Sequence, residues 1–100
     1  MIVVRNIFRV KFGQTKEATA LWRQAMSILR DAGLVDEARL LTDVAGESFY
    51  TLVLETTHES LAAWEKSMAG LQDHAEWRQV YQQIATLMET GQRQILSVIE

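Results

Sequence analysis

The chain has 100 residues, 48% of them hydrophobic and 23% charged, a composition that fits one ordinary globular core and lies far from that of a disordered chain. A net charge of −3 argues against a nucleic-acid surface, and the absence of cysteine leaves neither disulfides nor thiolate metal sites to hold the fold. No apolar run approaches the ~20 residues that span a bilayer, and Met1 to Arg5 is too short for a signal-peptide core, so a cytoplasmic protein with no membrane partner is expected.

From Ile2 to Phe12 the even positions read Ile2, Val4, Asn6, Phe8, Val10 and Phe12, against Val3, Arg5, Ile7, Arg9 and Lys11 at the odd ones. A period of two predicts a strand, which Gly13 breaks. Thr15 is placed as an N-cap for a run carrying Ala18, Leu21, Trp22, Ala25, Ile28, Leu29 and Ala32 at spacings of three and four. That is an amphipathic helix of about five turns, closed by a left-handed Gly33. Trp22 neighbours its inward stripe and is expected to be at least partly buried. Glu37 to Val44 and Ser48 to Thr56 are rich in β-forming residues around the turn Ala45-Gly46-Glu47, and so read as a hairpin.

Thr56 with Glu59 fits a capping box for a helix bearing Leu61, Trp64, Glu65 and Met68. Gly70 marks a break or a kink. Asp73 with Glu76 fits a second box, opening a helix with Trp77, Val80, Tyr81, Ile84 and Leu87, and Thr90-Gly91 stops it before a last strand through Leu96 and Val98. The order β-α-β-β-α-(α)-β over residues 1–100, with no linker, predicts a single α+β domain of ferredoxin-like plan. Its four-stranded antiparallel sheet has spatial order 4-1-3-2, with helices on one face.

If the helices cover Phe8, Val10, Phe12, Tyr50, Leu52, Leu54, Leu96 and Val98, the other face presents Val3, Ile7, Phe49, Val53, Ile95 and Ile99. A solvated face should not be this apolar, so these six residues are expected to form a homodimer interface. Arg5, Arg9, Thr51 and Glu55 lie among them, with Glu55 placed to pair with an arginine of the neighbouring strand. The alternative is a monomer whose long Arg and Lys stems shield the face.

Nearly the whole chain resembles the dimeric αβ-barrel superfamily, and its C-terminal half is similar to the NIPSNAP-like branch. The fragments that carry the resemblance are Phe12-Gly13-Gln14-Thr15, the run from Glu55 through Thr56-Thr57-His58-Glu59-Ser60-Leu61 to Ala62-Ala63-Trp64-Glu65, then Glu76-Trp77 and Thr90-Gly91. The resemblance implies a fold and a homodimer; it does not imply a reaction. Asn6, Trp64 and His74 also resemble a set in the haem-degrading monooxygenases of this superfamily. There the His is the axial haem ligand, the Asn positions iron-bound dioxygen and the Trp ruffles the porphyrin. That resemblance implies haem as an alternative to having no cofactor.

From the residues themselves, Asn6 is the one polar member of an apolar strand face and needs a hydrogen-bond partner, either protein or ligand. Trp64, Trp77 and His74 are its expected neighbours in a small cavity between sheet and helices, with core packing as the alternative use of the indoles and Trp77 able to fill the space a porphyrin needs. His58 reads as a surface residue near a helix N-terminus, and Glu65 either as solvated or as reaching the pocket. No metal site, nucleophile motif, phosphate loop or paired-carboxylate arrangement is found. The expected function is a NIPSNAP-like homodimer that binds a small apolar molecule. The alternatives are a haem-degrading or other cofactor-independent monooxygenase, and a non-catalytic structural or interaction protein.

Overall fold

A computed structural model describes residues 1–46 and 50–99. β1 (Ile2–Val10) and β3 (Thr51–His58) run antiparallel at the centre of the sheet, with β2 (Glu37–Thr42) outside β3 and β4 (Met88–Ser97) outside β1. The order β2-β3-β1-β4 is the expected 4-1-3-2 read from the other edge. Alternation sends Val4, Phe8, Val10, Leu52 and Leu54 to one face. There they meet α1 (Thr15–Ala32), α2 (Leu61–Gln72) and α3 (Ala75–Ala85) in one apolar core.

Trp22 is the largest fully buried side chain, with 1% exposure. It sits in the middle of α1 beside Ala18, Ala25 and Leu29, where the amphipathic spacing puts it. Gly33 ends α1 at φ 64°, and its N–H reaches the Arg30 carbonyl, as the left-handed cap requires. α2 runs through Gly70 without a break. A Cβ there would come 3.1 Å from the Leu34 side chain, so the glycine serves close packing and the helix stays intact.

Several boundaries differ from expectation because neighbouring strands decide them. β1 ends at Val10, leaving Phe12 81% exposed and edge-on to Tyr50 at 5.5 Å. Gln14 occupies the N-cap position of α1 without a side-chain bond, and Thr15 is already helical. β2 ends at Thr42 and β3 begins at Thr51, and Glu47 of the expected turn and Ser48 lie outside the described residues. Thr51 N–H donates to Asp43 Oδ1 at 2.8 Å, while Phe49 also lies outside the described residues. β3 continues to His58, so Thr56 caps nothing, and the Ser60 hydroxyl accepts from Ala63 N–H at 3.1 Å to open α2. At α3 the cap is His74 in place of Asp73, its Nδ1 accepting from Trp77 N–H at 3.4 Å. α3 ends at Ala85, and Thr90-Gly91 lies inside β4, where Gly91 sits against the Phe8 ring.

The largest correction concerns which way β4 faces. Its register against β1 pairs Asn6 with Arg93 and Val4 with Ile95, so Arg93 and Ile95 lie on the helix side of the sheet. Leu96, opposite Val3, joins Ile7 and Val53 on the open side. The alternation of hydrophobicity in this segment is too weak to set its parity, and a one-residue offset flips every side chain. Ile99 lies beyond the strand and is 95% exposed.

Candidate functional site

Two features stand out, one on each face of the sheet. On the helix face, α2 and α3 do not close fully over β1 and β3, leaving a cleft of about 340 Å³. Four rings contribute to its walls: Phe8 meets Trp22 at 5.2 Å between ring centroids, Trp22 meets Tyr81 edge-on at 6.4 Å, and Tyr81 stacks on Trp77 at 5.9 Å. Leu29, Leu54, Met68 and Leu71 complete the apolar lining. Spacing puts these rings together, since Trp77 and Tyr81 are one turn apart on α3 and face Trp22 of α1.

Asn6 occupies the wall at the one polar step on the helix-facing side of β1. Its Oδ1 accepts from Arg93 Nε at 2.7 Å, and the Arg93 guanidinium carbon lies 5.2 Å from the centre of the Trp64 ring. The amide oxygen is therefore satisfied by the neighbouring strand, and the arginine is held between an amide and an indole face. Arg78 also lines the cleft, its Nη1 donating to the Gln72 carbonyl at 2.7 Å. No acidic side chain lines the cleft among the described residues.

Thr56 forms a further polar point on the wall. Its hydroxyl lies 2.9 Å from Nε2 of His58, which is only 2% exposed. His58 is thus a buried member of β3, a correction to its expected surface position. The strand runs two residues further than the capping pattern indicated and carries the imidazole inside. Burial pushes its pKa below the ordinary value, and Asp36 partly opposes that shift. Trp22 Nε1 is buried with no hydrogen-bond partner among the described residues.

Of the four expected ligand-contacting residues, Asn6 and Trp77 line the cleft. Trp64 stands behind Arg93, and His74 is spent as the cap of α3 and does not line the cleft. The residues present do not fit a haem, because no histidine faces the cleft among the described residues and the imidazole nominated as axial ligand accepts a backbone N–H. Sequence reasoning missed Arg93 because the wrong face was assigned to β4. It missed Tyr81 and Trp22 as lining because their spacing signals core and cleft alike.

On the open face, Glu55 is central. Opposite Arg5 on β1 and Arg39 on β2, it accepts from Arg5 Nε at 2.8 Å and from Arg39 Nε at 2.8 Å. The Arg5 hydrogen bond does most to hold its carboxyl below the ordinary range. Desolvation opposes this, and Arg39 adds to it. Around this triad lie Val3, Ile7 and Val53, all partly exposed, and the exposed Leu41 and Leu96.

No family model and no curated protein matches the chain. Its structure is similar to a NIPSNAP family protein from Agrobacterium tumefaciens at TM-score 0.87 and 18% identity, over 99% of this chain and 93% of that one. A NIPSNAP domain protein from Burkholderia xenovorans follows at TM-score 0.83 and 16% identity, over 99% and 95%. SnoaB, a cofactor-independent oxygenase from Streptomyces nogalater, is similar at TM-score 0.76 and 12% identity, over 99% and 93%. Likeness at such identities is likeness of fold, a ferredoxin-like α+β fold that this chain shares with NIPSNAP proteins and with a cofactor-independent oxygenase.

Proposed function

We propose that this chain acts as one domain and binds a small, largely aromatic molecule in the cleft between sheet and helices, as half of a homodimer joined through the open sheet faces. The observation that carries the reading is the cleft itself, about 340 Å³ walled by the rings of Phe8, Trp22, Trp77 and Tyr81 with a few directed polar groups. That combination of apolar walls and sparse polar points is what small-molecule sites share. The dimer is supported by the apolar set Val3, Ile7, Val53 and Leu96 around a charged triad whose groups already pair with one another. A cytoplasmic location belongs to the same proposal.

Titration with 2-naphthol tests the cleft, read by tryptophan fluorescence and by the three indole N–H signals in NMR. Saturable shifts at Trp22 and Trp77, weakened in Trp77→Ala, are expected; no saturable shift at either indole would remove the reading. Cofactor-independent oxygenation of the bound molecule is a second reading, favoured by the likeness of fold to an oxygenase of that kind. Oxygen uptake with a polyphenol in metal-free buffer separates it from simple binding and from a purely structural homodimer.

A further inference from the structure

We infer that the cleft selects planar aromatic carboxylates and that Arg93 receives the carboxylate group, an inference that rests on the proposed binding of aromatic molecules in the same cleft.

Three features of Arg93 lead to this. Its Nε is tied to Asn6 Oδ1 at 2.7 Å and its guanidinium lies over the Trp64 ring at 5.2 Å, so this exposed side chain is held at two points. Its terminal amino groups carry no hydrogen bond and no ion pair among the described residues. Its one polar partner is an amide, which orients the guanidinium without neutralising it. An aspartate at position 6 would have cancelled the charge.

The surroundings agree. No carboxylate lines the cleft among the described residues, and Arg78 adds a second positive charge to the wall. Every other arginine of the sheet is placed differently: Arg5 and Arg39 are bound to Glu55, and Arg9 lies 3.6 Å from Glu89. The uncompensated cations of this anionic chain thus include two at its aromatic cleft. A pre-oriented guanidinium presents parallel N–H donors that match the two oxygens of a carboxylate. The ring walls accept a flat arene behind it. A phosphate fits less well, since a tetrahedral dianion carries more charge into an apolar cleft than one fork can satisfy.

The test uses the full chain at pH 7 with 2-naphthoate and its neutral isostere 2-naphthamide, followed by tryptophan fluorescence and indole NMR. Naphthoate is expected to bind at least about 10-fold more tightly than naphthamide. Arg93→Gln should weaken naphthoate by about 10- to 100-fold, the size of a charge-assisted hydrogen bond, and leave naphthamide within about twofold. Asn6→Asp keeps the arginine but compensates its charge, so it should weaken naphthoate selectively as well, with circular dichroism verifying the fold of both variants. Equal binding of the two probes by the unaltered protein overturns the carboxylate inference and leaves the aromatic cleft standing. Binding of neither overturns both. Selectivity that survives in Arg93→Gln, or in Asn6→Asp if the first variant fails to fold, removes Arg93 from its role.

Discussion

Replacing Glu55 with Gln keeps the shape of the side chain and removes the charge that binds two arginines on the open face. The carboxylate is about 10% exposed, while the Arg5 and Arg39 side chains are 42% and 59% exposed. Hydrogen bonds to charged groups contribute about 1.5 to 3 kcal/mol, and exposed ion pairs 0 to about 1, so these half-exposed arginines belong near the top of the lower range. Taking a little under 1 kcal/mol for each arginine, the substitution should cost about 1.5 kcal/mol at pH 7 and lower Tm by roughly 6 to 12 °C. Because the folded carboxyl pKa is depressed, this stability is present above the unfolded value, ordinarily 4.5, and is lost as pH falls through the lower folded value. The gap between the unaltered protein and Glu55→Gln in urea unfolding should therefore shrink as pH falls below 4.5 and close once the depressed folded value is passed. Both proteins must be compared at one concentration, since dimerisation would add its own stability. A gap below about 0.5 kcal/mol at pH 7, or one that persists undiminished in acid, would refute the reasoning.

The other expectations are shorter. Gly33→Ala meets no atom within 4 Å, so its cost is the backbone strain of φ 64° alone, about 1 kcal/mol in thermal or urea unfolding. Stability conferred by neutral His58 is present above its ordinary pKa of 6.5 and lost as pH falls through its depressed folded pKa, so His58→Gln should flatten the stability profile between pH 7 and pH 5. Val53→Asp puts an unpaired charge on the open face and should turn a species near twice 11.4 kDa into one near 11.4 kDa by light scattering. A monomer mass for the unaltered protein at micromolar concentration would remove the dimer.

What the sequence makes legible is what depends on near neighbours. β1 shows its alternation over the whole strand because both of its faces contrast in chemistry, and α1 shows its buried stripe and its glycine stop for the same reason. β4 is opaque because Gln92, Arg93, Gln94, Ile95 and Leu96 supply no clean contrast, so its parity is fixed only by pairing with β1. The caps of α2 and α3 moved for a related reason. Each actual cap lies within four residues of its candidate, Ser60 after Thr56 and His74 after Asp73, and at α2 the extension of β3 to His58 decides between them. At the site, Asn6 is conspicuous because a lone amide in an apolar row demands a partner. Arg93 is not, because an arginine in a polar strand carries no such demand until the register sets it opposite Asn6.

The two faces of the sheet handle the same problem, an arginine beside a central strand, in opposite ways, and the difference lies in the residue across the ladder. On the open face Arg5 stands opposite Glu55, and the carboxylate takes up both Arg5 and Arg39. Such a cluster can be covered by a second sheet without exposing a lone anion to a low-dielectric interface, where an unpaired charge costs several kcal/mol, on the order of 3 to 5. On the helix face Arg93 stands opposite Asn6, which supplies geometry and no charge. A neutral molecule covering that arginine binds less tightly than a charged one, because the charge loses water and gains no counter-ion. A ligand that brings its own negative group reverses the balance. The ladder thus gives the open face a carboxylate paired with two arginines and the helix face an arginine held by an amide that leaves its charge uncompensated.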